Sequence, residues 1–445
     1  MSSDTPWLPL EDLVEDIIDR RGLTPLKLGG LFTSSGHRVI SAKLLKGGRI
    51  DLGADEPRYV NSDVYAKWMK GSLLPGDVLM TSEAPLGELA FINSELDWCL
   101  GQRLFAIRPK KDRLDGCFAY YALQTRQVRE DLFGRSTGTT VQGIRQSELR
   151  RVRLPVPDLT LQVAAASVLK ALDDRIALLR ETNATLEAIA QALFKSWFVD
   201  FDPVRAKQQG LAPAGMDEAT AALFAGNIEA WNECVLRPIA ADLINGRKLL
   251  IGDGYRAKNN ELGLPGVSFV RAGDLDAGQI TPTKDFLAKP ALNAAAGKMA
   301  KAGDTAFTSK GTIGRFAFVD EGSGDAVYSP QVCFWRSLDR DIIEPAYLHY
   351  WMKSAAFMEQ VKAVCGQAAI MEYVSLSDQR GMRLDLPPIA IQRRFAELAD
   401  SLLRRISCNR ATAMLLASLR DTLLPRLISG QLRLPDADRF KASPA

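Results

Sequence analysis

The sequence GHRVISAKLLKGGRI at residues 36–50 aligns with GVSFVRAGDLDAGQI at residues 266–280, an offset of 230 positions. Further segments follow in the same order, GDVLMTSEAPLGELAF from residue 76 with GDTAFTSKGTIGRFAF from residue 303, and SELRRVRLPVPDLTLQ from residue 147 with SDQRGMRLDLPPIAIQ from residue 377. A fourth block matches Leu172, Arg175 and Ile176 with Leu402, Arg405 and Ile406. These segments have ordinary compositions, so shared low complexity does not explain the agreement. The sequence therefore predicts a tandem duplication.

Each repeat begins with a mixed domain of strands and helices. Short β-prone runs such as DVLMTS and RLFAIRP are separated by Gly, Pro, Asn and Asp. A helical stretch, CFAYYALQTRQVREDLF, follows in the first repeat, and its counterpart is AYLHYWMKSAAFMEQV. The predicted fold class is α+β, with two repeated α/β-mixed domains separated by two long helices.

A long helix ends each repeat. Residues 159–199 contain no Gly or Pro, and their apolar positions recur at alternating intervals of four and three, which is a heptad pattern. The stretch after LPPI repeats this pattern and stops near Gly430, a plausible helix C-cap. A helix of about 40 residues is about 60 Å long. An amphipathic helix packed on its own domain is the simpler interpretation, but two equivalent helices favour a mutual antiparallel coiled coil.

One polar residue interrupts each apolar seam. If Asn183 and Asn409 share a layer, antiparallel pairing places residue x of the first helix opposite about residue 592 − x of the second. A buried asparagine pair fixes register at some cost in stability. We therefore expect the two side chains to lie within one helical turn of each other.

The motifs LPVPDLTLQ, ALFKSWFVDFDPVRAK, LPPIAIQRRF and LRDTLLPRLISGQL resemble the specificity subunits of type I restriction–modification systems. The resemblance covers essentially the whole chain. It implies two target recognition domains that each read half of a bipartite sequence in double-stranded DNA, with helices that set the spacer. It also implies partner methyltransferase (modification) subunits and restriction/translocase subunits. S-adenosylmethionine, ATP and Mg²⁺ are expected on those partners only, and the chain itself is expected to need no cofactor.

This interpretation divides the chain into six parts. They are target recognition domain 1 at 1–158, spacer helix 1 at 159–199, a linker at 200–228, target recognition domain 2 at 229–388, spacer helix 2 at 389–430 and a C-terminal tail at 431–445.

Composition restricts the class of protein. Charged residues make up 24% and hydrophobic residues 47% of the chain, the apolar runs are too short to cross a bilayer, and the N-terminus lacks the pattern of a secretory signal. The six cysteines form no CxxC pair, which is typical of reduced cytosolic thiols, so we expect a cytoplasmic protein. Between Gly101 and Pro155 the basic residues outnumber the acidic ones by 12 to 5. This excess could neutralise DNA phosphates or simply be a solvated surface.

Few residues suggest catalysis. The chain has two histidines, His37 and His349, which are isolated in sequence, and it has no phosphate-binding loop of the GxxxxGK[ST] type. Asp200 and Asp202 could imitate paired metal ligands, but their place at a helix end beside Pro203 favours a structural role. We therefore predict a non-catalytic subunit without a metal site.

Two matched loops carry side chains that could contact DNA. One is TSEAPLG against TSKGTIG, and the other is GRSTGTTVQGIR against CGQAAIMEY. Turn chemistry alone could also explain these strings. The candidate DNA-binding residues are Thr81, Ser82, Arg135, Thr139, Thr140, Gln142 and Arg145 in the first repeat, and Thr308, Ser309, Lys310, Thr312 and Gln367 in the second.

The aligned loops differ between the repeats, with Glu83 opposite Lys310, so we expect an asymmetric target. Two alternatives stay open: a coiled-coil scaffold that binds only proteins, and a nuclease or methyltransferase fused to recognition domains. The second would need a metal site or a cofactor loop, neither of which is evident in the sequence.

Overall fold

The computed structural model describes residues 5–138, 140–224, 237–240, 248–276, 278–368 and 371–432. The chain folds into two compact units. The first unit comprises the residues up to Leu178 together with those from Ala413 onward, and the second comprises Leu179–Thr412. Both boundaries fall inside the two long helices, so each unit contains part of each helix.

The first unit alternates short strands and helices up to its long helix. Its strands are β1 (Trp7–Pro9), β2 (Val14–Asp19), β3 (His37–Ile40), β4 (Leu45–Lys46), β5 (Arg49–Ile50), β6 (Tyr59–Val60), β7 (Val78–Thr81), β8 (Leu89–Phe91), β9 (Cys99–Leu100), β10 (Leu104–Pro109) and β11 (Arg153–Pro155). Its helices are α1 (Leu10–Leu13), α2 (Ser62–Met69), α3 (Gly116–Ala122), α4 (Arg126–Gly134), α5 (Gln146–Leu149) and the first part of α6 (Leu159–Phe198).

The second unit repeats this order. Its strands are β12 (Arg237–Ala240), β13 (Leu249–Asp253), β14 (Gly266–Val270), β15 (Leu275–Asp276), β16 (Gln279–Ile280), β17 (Phe286–Ala288), β18 (Thr305–Thr308), β19 (Phe316–Phe318), β20 (Ala326–Tyr328), β21 (Val332–Ser337), β22 (Gly366–Ala368), β23 (Met371–Tyr373) and β24 (Arg383–Leu386). Its helices are the second part of α6, α7 (Asp202–Gln208), α8 (Glu218–Ala222), α9 (Leu292–Ala295), α10 (Pro345–Met352), α11 (Ala355–Val364), α12 (Leu376–Arg380) and the first part of α13 (Ile389–Ile428), whose end belongs to the first unit.

The two units share one sheet topology. The order β2-β10-β7-β8 in the first unit corresponds to β13-β21-β18-β19 in the second, and β6-β3-β9 corresponds to β17-β14-β20. The pairs β1-β11 and β12-β24 correspond as well, as do β4-β5 and β15-β16. The predicted fold class, two repeated mixed domains with two long helices, is therefore confirmed.

An ion pair with a buried aspartate supports the equivalent central strands of each unit. Arg108 on β10 donates to Asp77 at 2.7 Å, and Arg336 on β21 donates to Asp304 at 2.7 Å. Each aspartate belongs to the Gly-Asp pair that precedes β7 or β18 in the aligned segments. These pairs connect the neighbouring strands from which the matched loops begin. They therefore fix the backbone on which those loops are carried in the same way in the two units.

The long helices pack antiparallel in both units. In the first unit Leu427, near the end of α13, joins a core cluster with Ala165, near the start of α6, and Arg420 donates to Asp173 at 2.6 Å. In the second unit Phe395, near the start of α13, lies with its ring 6.2 Å from that of Trp197, near the end of α6. The residue numbers of each of these pairs add up to 592 or 593, as in the antiparallel pairing expected from the heptads.

The segment after α6 is part of the second unit and packs into its core. Val204 and Phe224 join the core of that unit, and the Phe224 ring meets the Trp197 ring edge-on at 5.2 Å. Arg394 on α13 donates to Asp217 at 2.8 Å. Residues 225–228, the end of the expected linker, lie outside the described residues, as do residues 433–445 of the expected tail.

Candidate nucleic-acid interface

The first matched loop is closed by a buried threonine in both units. The Thr81 hydroxyl donates to the carbonyl of Pro85 at 2.5 Å and accepts the Glu88 N–H at 2.9 Å. The Thr308 hydroxyl donates to the carbonyl of Thr312 at 2.5 Å and accepts from the Arg315 N–H. Both side chains are fully buried, so their hydroxyls stabilise the loop and do not face solvent.

The serine that follows each threonine is also buried. Ser309 accepts a bond from the Cys333 thiol at 3.1 Å. The Ser82 hydroxyl has no hydrogen-bond partner among the described residues. In this conformation these four Thr and Ser side chains, selected from sequence as DNA contacts, are part of the loop frame and do not reach outward.

The structure brings the two matched loops together in each unit. In the first unit the Ile144 N–H donates to the Ser82 carbonyl at 3.0 Å, and the backbones of Glu83 and Gly143 form an isolated antiparallel β-bridge. In the second unit the Val374 N–H donates to the Ser309 carbonyl at 2.9 Å, and the backbones of Lys310 and Tyr373 form the equivalent antiparallel β-bridge. Loops that are distant in sequence therefore form one surface in each unit, which we call the recognition face (residues 82–88, 102–103, 136–138 and 140–145 in the first unit; 309–315, 329–331, 366–368 and 371–374 in the second).

The remaining candidate residues differ in exposure. Thr140, Gln142, Arg145, Lys310 and Thr312 are exposed on the recognition face. Their side chains can therefore contact a macromolecule.

Three candidates have a different status. Arg135 is held by Asp131 at 2.8 Å and lies 3.8 Å from Glu148, so its charge is already compensated. Thr139 lies outside the described residues. Gln367 belongs to β22, where only the backbone is described.

A third loop reaches the recognition face and was not selected from the sequence. The Ser82 N–H donates to the Arg103 carbonyl at 2.8 Å, and the Ser309 N–H donates to the Gln331 carbonyl at 3.1 Å. The side chains of Arg103 and Gln331 are exposed, and Arg103 pairs with Glu83 at 3.1 Å. The signal that could have found this loop is the arginine that pairs with the equivalent aspartate in each repeat, because it aligns RLFAIR at residues 103–108 with QVCFWR at residues 331–336, an offset of 228.

Arg21 borders the recognition face of the first unit. Its guanidinium lies 4.5 Å from the centre of the Phe105 ring and donates to both carboxylate oxygens of Asp19. Burial alone would raise the pKa of Asp19, but the bonds from Arg21 bring it below its usual value. Asp19 therefore stays ionised and fixes the orientation of Arg21.

A buried glutamine joins each domain to the start of its long helix. Gln162 accepts the Asp115 N–H at 2.9 Å and donates to the carbonyls of Arg113 and Pro157. Gln392 makes the same three bonds, to the N–H of Glu344 and the carbonyls of Ile342 and Pro387. These glutamines are the Gln of LTLQ and IAIQ, so the motif has a physical role in fixing the helix on its domain.

The two seam asparagines contact each other within the second unit. Asn409 donates to the Asn183 side-chain oxygen at 2.8 Å, and Asn183 donates to the Ile406 carbonyl at 3.4 Å. Both side chains are buried. The pair therefore occupies one layer of the seam.

The residues with catalytic chemistry have structural surroundings. Burial lowers the pKa of His349 to about 3, so it is neutral near pH 7. His37 stacks on Tyr65 with ring centres 4.0 Å apart, and Asp200 binds Lys195. Asp202 begins α7. In the part of the chain that the structure describes, no group of three His, Cys, Asp or Glu residues could hold a metal ion. None of the described helices combines the length and apolar character needed to cross a membrane.

The duplicated fold and its paired polar loops define a two-domain recognition protein built on antiparallel helices. Residues 22–188 match the family model described as the type I restriction modification DNA specificity domain. The chain is 28% identical over 372 residues to the type I restriction enzyme MjaIX specificity subunit of Methanocaldococcus jannaschii, covering 81% of this chain and 78% of the relative. It is 35% identical over 147 residues to the HindI specificity subunit of Haemophilus influenzae, covering 32% of each.

The fold is similar to that in the crystal structure of the type I restriction–modification system S subunit from M. genitalium, with a TM-score of 0.53 and 16% identity over 96% of this chain and 97% of the other. This chain is therefore similar in sequence to the DNA specificity subunits of type I restriction–modification systems, and similar in fold to one of them.

Proposed function

We propose that each repeat reads one half of an asymmetric bipartite sequence in double-stranded DNA. The observation that carries this proposal is the shared frame of the recognition faces with different exposed side chains. Glu83 and Arg103 in the first unit correspond to Lys310 and Gln331 in the second. Arginine and lysine pair with guanine edges, whereas glutamine pairs with adenine and glutamate accepts from cytosine. Two faces of different chemistry read different half-sites.

A domain exchange tests this proposal. Residues 1–158 are replaced by the equivalent domain of another specificity subunit, and methylated sites are sequenced in cells that also make the modification subunits. We expect the first half-site to change and the second to stay. An unchanged first half-site contradicts the proposal.

A smaller exchange tests the face itself. The variant Glu83→Lys with Arg103→Gln gives the first unit the exposed pair of the second. We expect the preferred bases to change in the first half-site only. The matched control is Lys301→Gln, an exposed position that precedes β18 at the end of the strand away from the loops, which should leave both half-sites unchanged.

The long helices are proposed to set the length of the unread spacer. Each helix has 40 residues, about 60 Å at 1.5 Å per residue. Deleting residues 176–182 and 410–416 removes one heptad from each helix and leaves the Asn183–Asn409 layer in place. The helices shorten by about 10 Å, so the spacer should shorten by about three base pairs, each of about 3.4 Å. Unchanged spacing would show that the helices do not set it.

Exposed apolar residues on the helices are the proposed docking surface for the methyltransferase subunits. In the first unit Met414, Leu415 and Leu419 are 57%, 72% and 46% exposed. Apolar side chains on a helix surface mark interaction sites when they form a group. S-adenosylmethionine, ATP and Mg²⁺ would then act on the partner subunits, including the restriction/translocase subunits.

The docking surface is tested by Leu415→Glu with Leu419→Glu. We expect these changes to abolish co-purification with the modification subunits. Leu338→Glu, which places the same charge on an exposed position outside the helices, is the control and should keep the complex. If the double variant still co-purifies with the modification subunits, the docking surface lies elsewhere on the chain.

The alternative function is a protein scaffold that does not read DNA. The assembled complex distinguishes the two, because phosphate contacts make DNA affinity fall steeply with salt. Absence of salt-sensitive DNA binding by the complex would favour the scaffold.

A further inference from the structure

A pocket of about 310 Å³ opens on the recognition face of the second unit. Its polar lining consists of Arg256, Asn259, Arg271, Ser329 and Gln331. The pocket adjoins the first matched loop, because the Gln331 carbonyl accepts the Ser309 N–H at 3.1 Å. It therefore lies where DNA bound to the recognition face would pass.

The hydroxyl of Ser329 is a buried donor in this pocket. Ser329 is 1% exposed, and its hydroxyl has no hydrogen-bond partner among the described residues. Its backbone is fixed, since its N–H donates to the Val270 carbonyl and its carbonyl accepts from the Val332 N–H, both at 2.9 Å. A buried hydroxyl without a partner is unfavourable, and a ligand in the pocket would supply one.

The first unit has a glycine at the equivalent place. The Gly101 N–H donates to the Ile40 carbonyl at 2.9 Å, which is the counterpart of the bond from Ser329 to Val270. A Cβ atom added to Gly101 would lie 2.3 Å from that carbonyl oxygen, so a serine could not be accommodated there without movement. The hydroxyl is thus a feature that the second repeat has and its counterpart lacks.

The charged groups of the pocket favour an anion. Arg256 is exposed and has no ion pair in the described ranges. Arg271 is bound to Asp285 and lies 5.5 Å from the centre of the Phe269 ring, so its charge is largely compensated. One free guanidinium, one hydroxyl and the side-chain amides of Asn259 and Gln331 leave the pocket rich in donors.

We infer that this pocket binds a backbone phosphate of the second DNA half-site, with Arg256 and the Ser329 hydroxyl as its donors. The inference rests on the proposed function and adds one positioning contact to it. A phosphate fits because its oxygens accept several hydrogen bonds at once and because DNA-binding proteins use such contacts to fix register. A stacked base fits less well, since the Phe269 ring is buried and offers no free face.

The test uses the full chain purified with its modification subunits and a duplex that contains its methylation site. Ser329→Ala, Arg256→Ala and the control Lys301→Ala are compared. We expect Ser329→Ala to fold with an unchanged or slightly higher melting temperature, because it removes an unbonded group. Ser329→Ala and Arg256→Ala should each weaken binding, Arg256→Ala by roughly ten- to a hundredfold as for one charge-assisted hydrogen bond, and by the same factor for specific and non-specific DNA.

Two further measurements identify the ligand atom. The slope of log affinity against log salt should decrease by about 1 for Arg256→Ala and stay unchanged for Lys301→Ala. A neutral methylphosphonate placed along the second half-site should weaken wild-type binding at one position. At that position the methylphosphonate should not weaken DNA binding by the Arg256→Ala variant any further.

The outcomes separate this inference from the proposed function. If Arg256→Ala changes the preferred base instead of the overall affinity, the pocket contacts a base and the phosphate inference is wrong. If both variants bind like the wild type while the complex still reads its sequence, the pocket inference fails and the proposed function stands. If the wild-type complex itself does not bind DNA, both fail.

Discussion

Replacement of the seam asparagines by leucine should affect stability non-additively. In Asn409→Leu the buried Asn183 oxygen loses its donor, which costs about 1–3 kcal/mol, and the new leucine offsets this only in part. Asn183→Leu leaves the Asn409 amide unpaired in the same way. In the double variant neither polar group remains, and two apolar side chains fill the layer. We expect it to be at least as stable as the wild type and about 2 kcal/mol more stable than either single variant.

This coupling is measured by urea unfolding of the wild type, the two single variants and the double variant. All four proteins are compared with the same amount of modification subunit present. A double variant that is less stable than both single variants would refute the reasoning. The register itself needs a second measurement, because stability does not report it. Cysteines introduced at Ala190 and Leu402, which face each other under the same pairing, should cross-link in the wild type and less completely in the double leucine variant. Equal cross-linking yields would show that the asparagines do not fix register.

Three other changes have calculable effects on stability. Gln162→Leu or Gln392→Leu should each cost about 3 kcal/mol or more in thermal unfolding, since each leaves buried backbone groups without their partner. Asp304→Asn should cost about 3–5 kcal/mol, because it leaves the buried guanidinium of Arg336 uncompensated. The free energy of unfolding should fall as the pH decreases from 6.5 toward 3. The reason is that His349 in the unfolded chain gains a proton at the ordinary histidine pKa of 6.5, whereas folded His349, with a pKa of about 3, stays neutral over this range. At pH 5 this loss is about 2 kcal/mol, and His349→Gln should remove that part of the pH dependence.

Matched surface variants provide the controls for these changes. Gln191→Leu alters an exposed glutamine whose hydrogen bond goes to Glu187 one turn earlier on α6, and we expect a change below about 0.5 kcal/mol. Asp341→Asn breaks a surface ion pair with Arg393, and we expect at most about 1 kcal/mol. If these controls cost as much as the buried variants, the energetic distinction between buried and exposed partners is wrong for this chain.

The duplication and the helices could be predicted from sequence because both depend on periodic patterns. The offset of 230 residues recurs in the sheet topology of the two units, and the heptads recur in the buried seam. The pairing of loops was not predictable in the same way. It depends on backbone bonds between distant segments, such as that from Ile144 to Ser82, which leave no periodic mark.

The candidate contacts show the same limit at the level of single residues. A Thr-Ser pair in a glycine-containing loop has the composition of a DNA contact and of a turn. At Thr81 and Thr308 it forms a turn, because a hydroxyl inside a tight loop finds backbone partners closer than any ligand. Arg103 and Gln331 were missed for the opposite reason: the residues around them look like an ordinary strand.

The first unit is discontinuous in the chain, and this affects its synthesis. The hydroxyl of Thr5 donates to the carbonyl of Ser429, and Leu427 completes the core that begins at Leu10. The second unit, Leu179–Thr412, is contiguous. A domain usually folds soon after its residues leave the ribosome, N-terminal domains first. Here the first unit emerges earliest but can complete its core only after the last helix has been translated, so the second unit can finish folding before it.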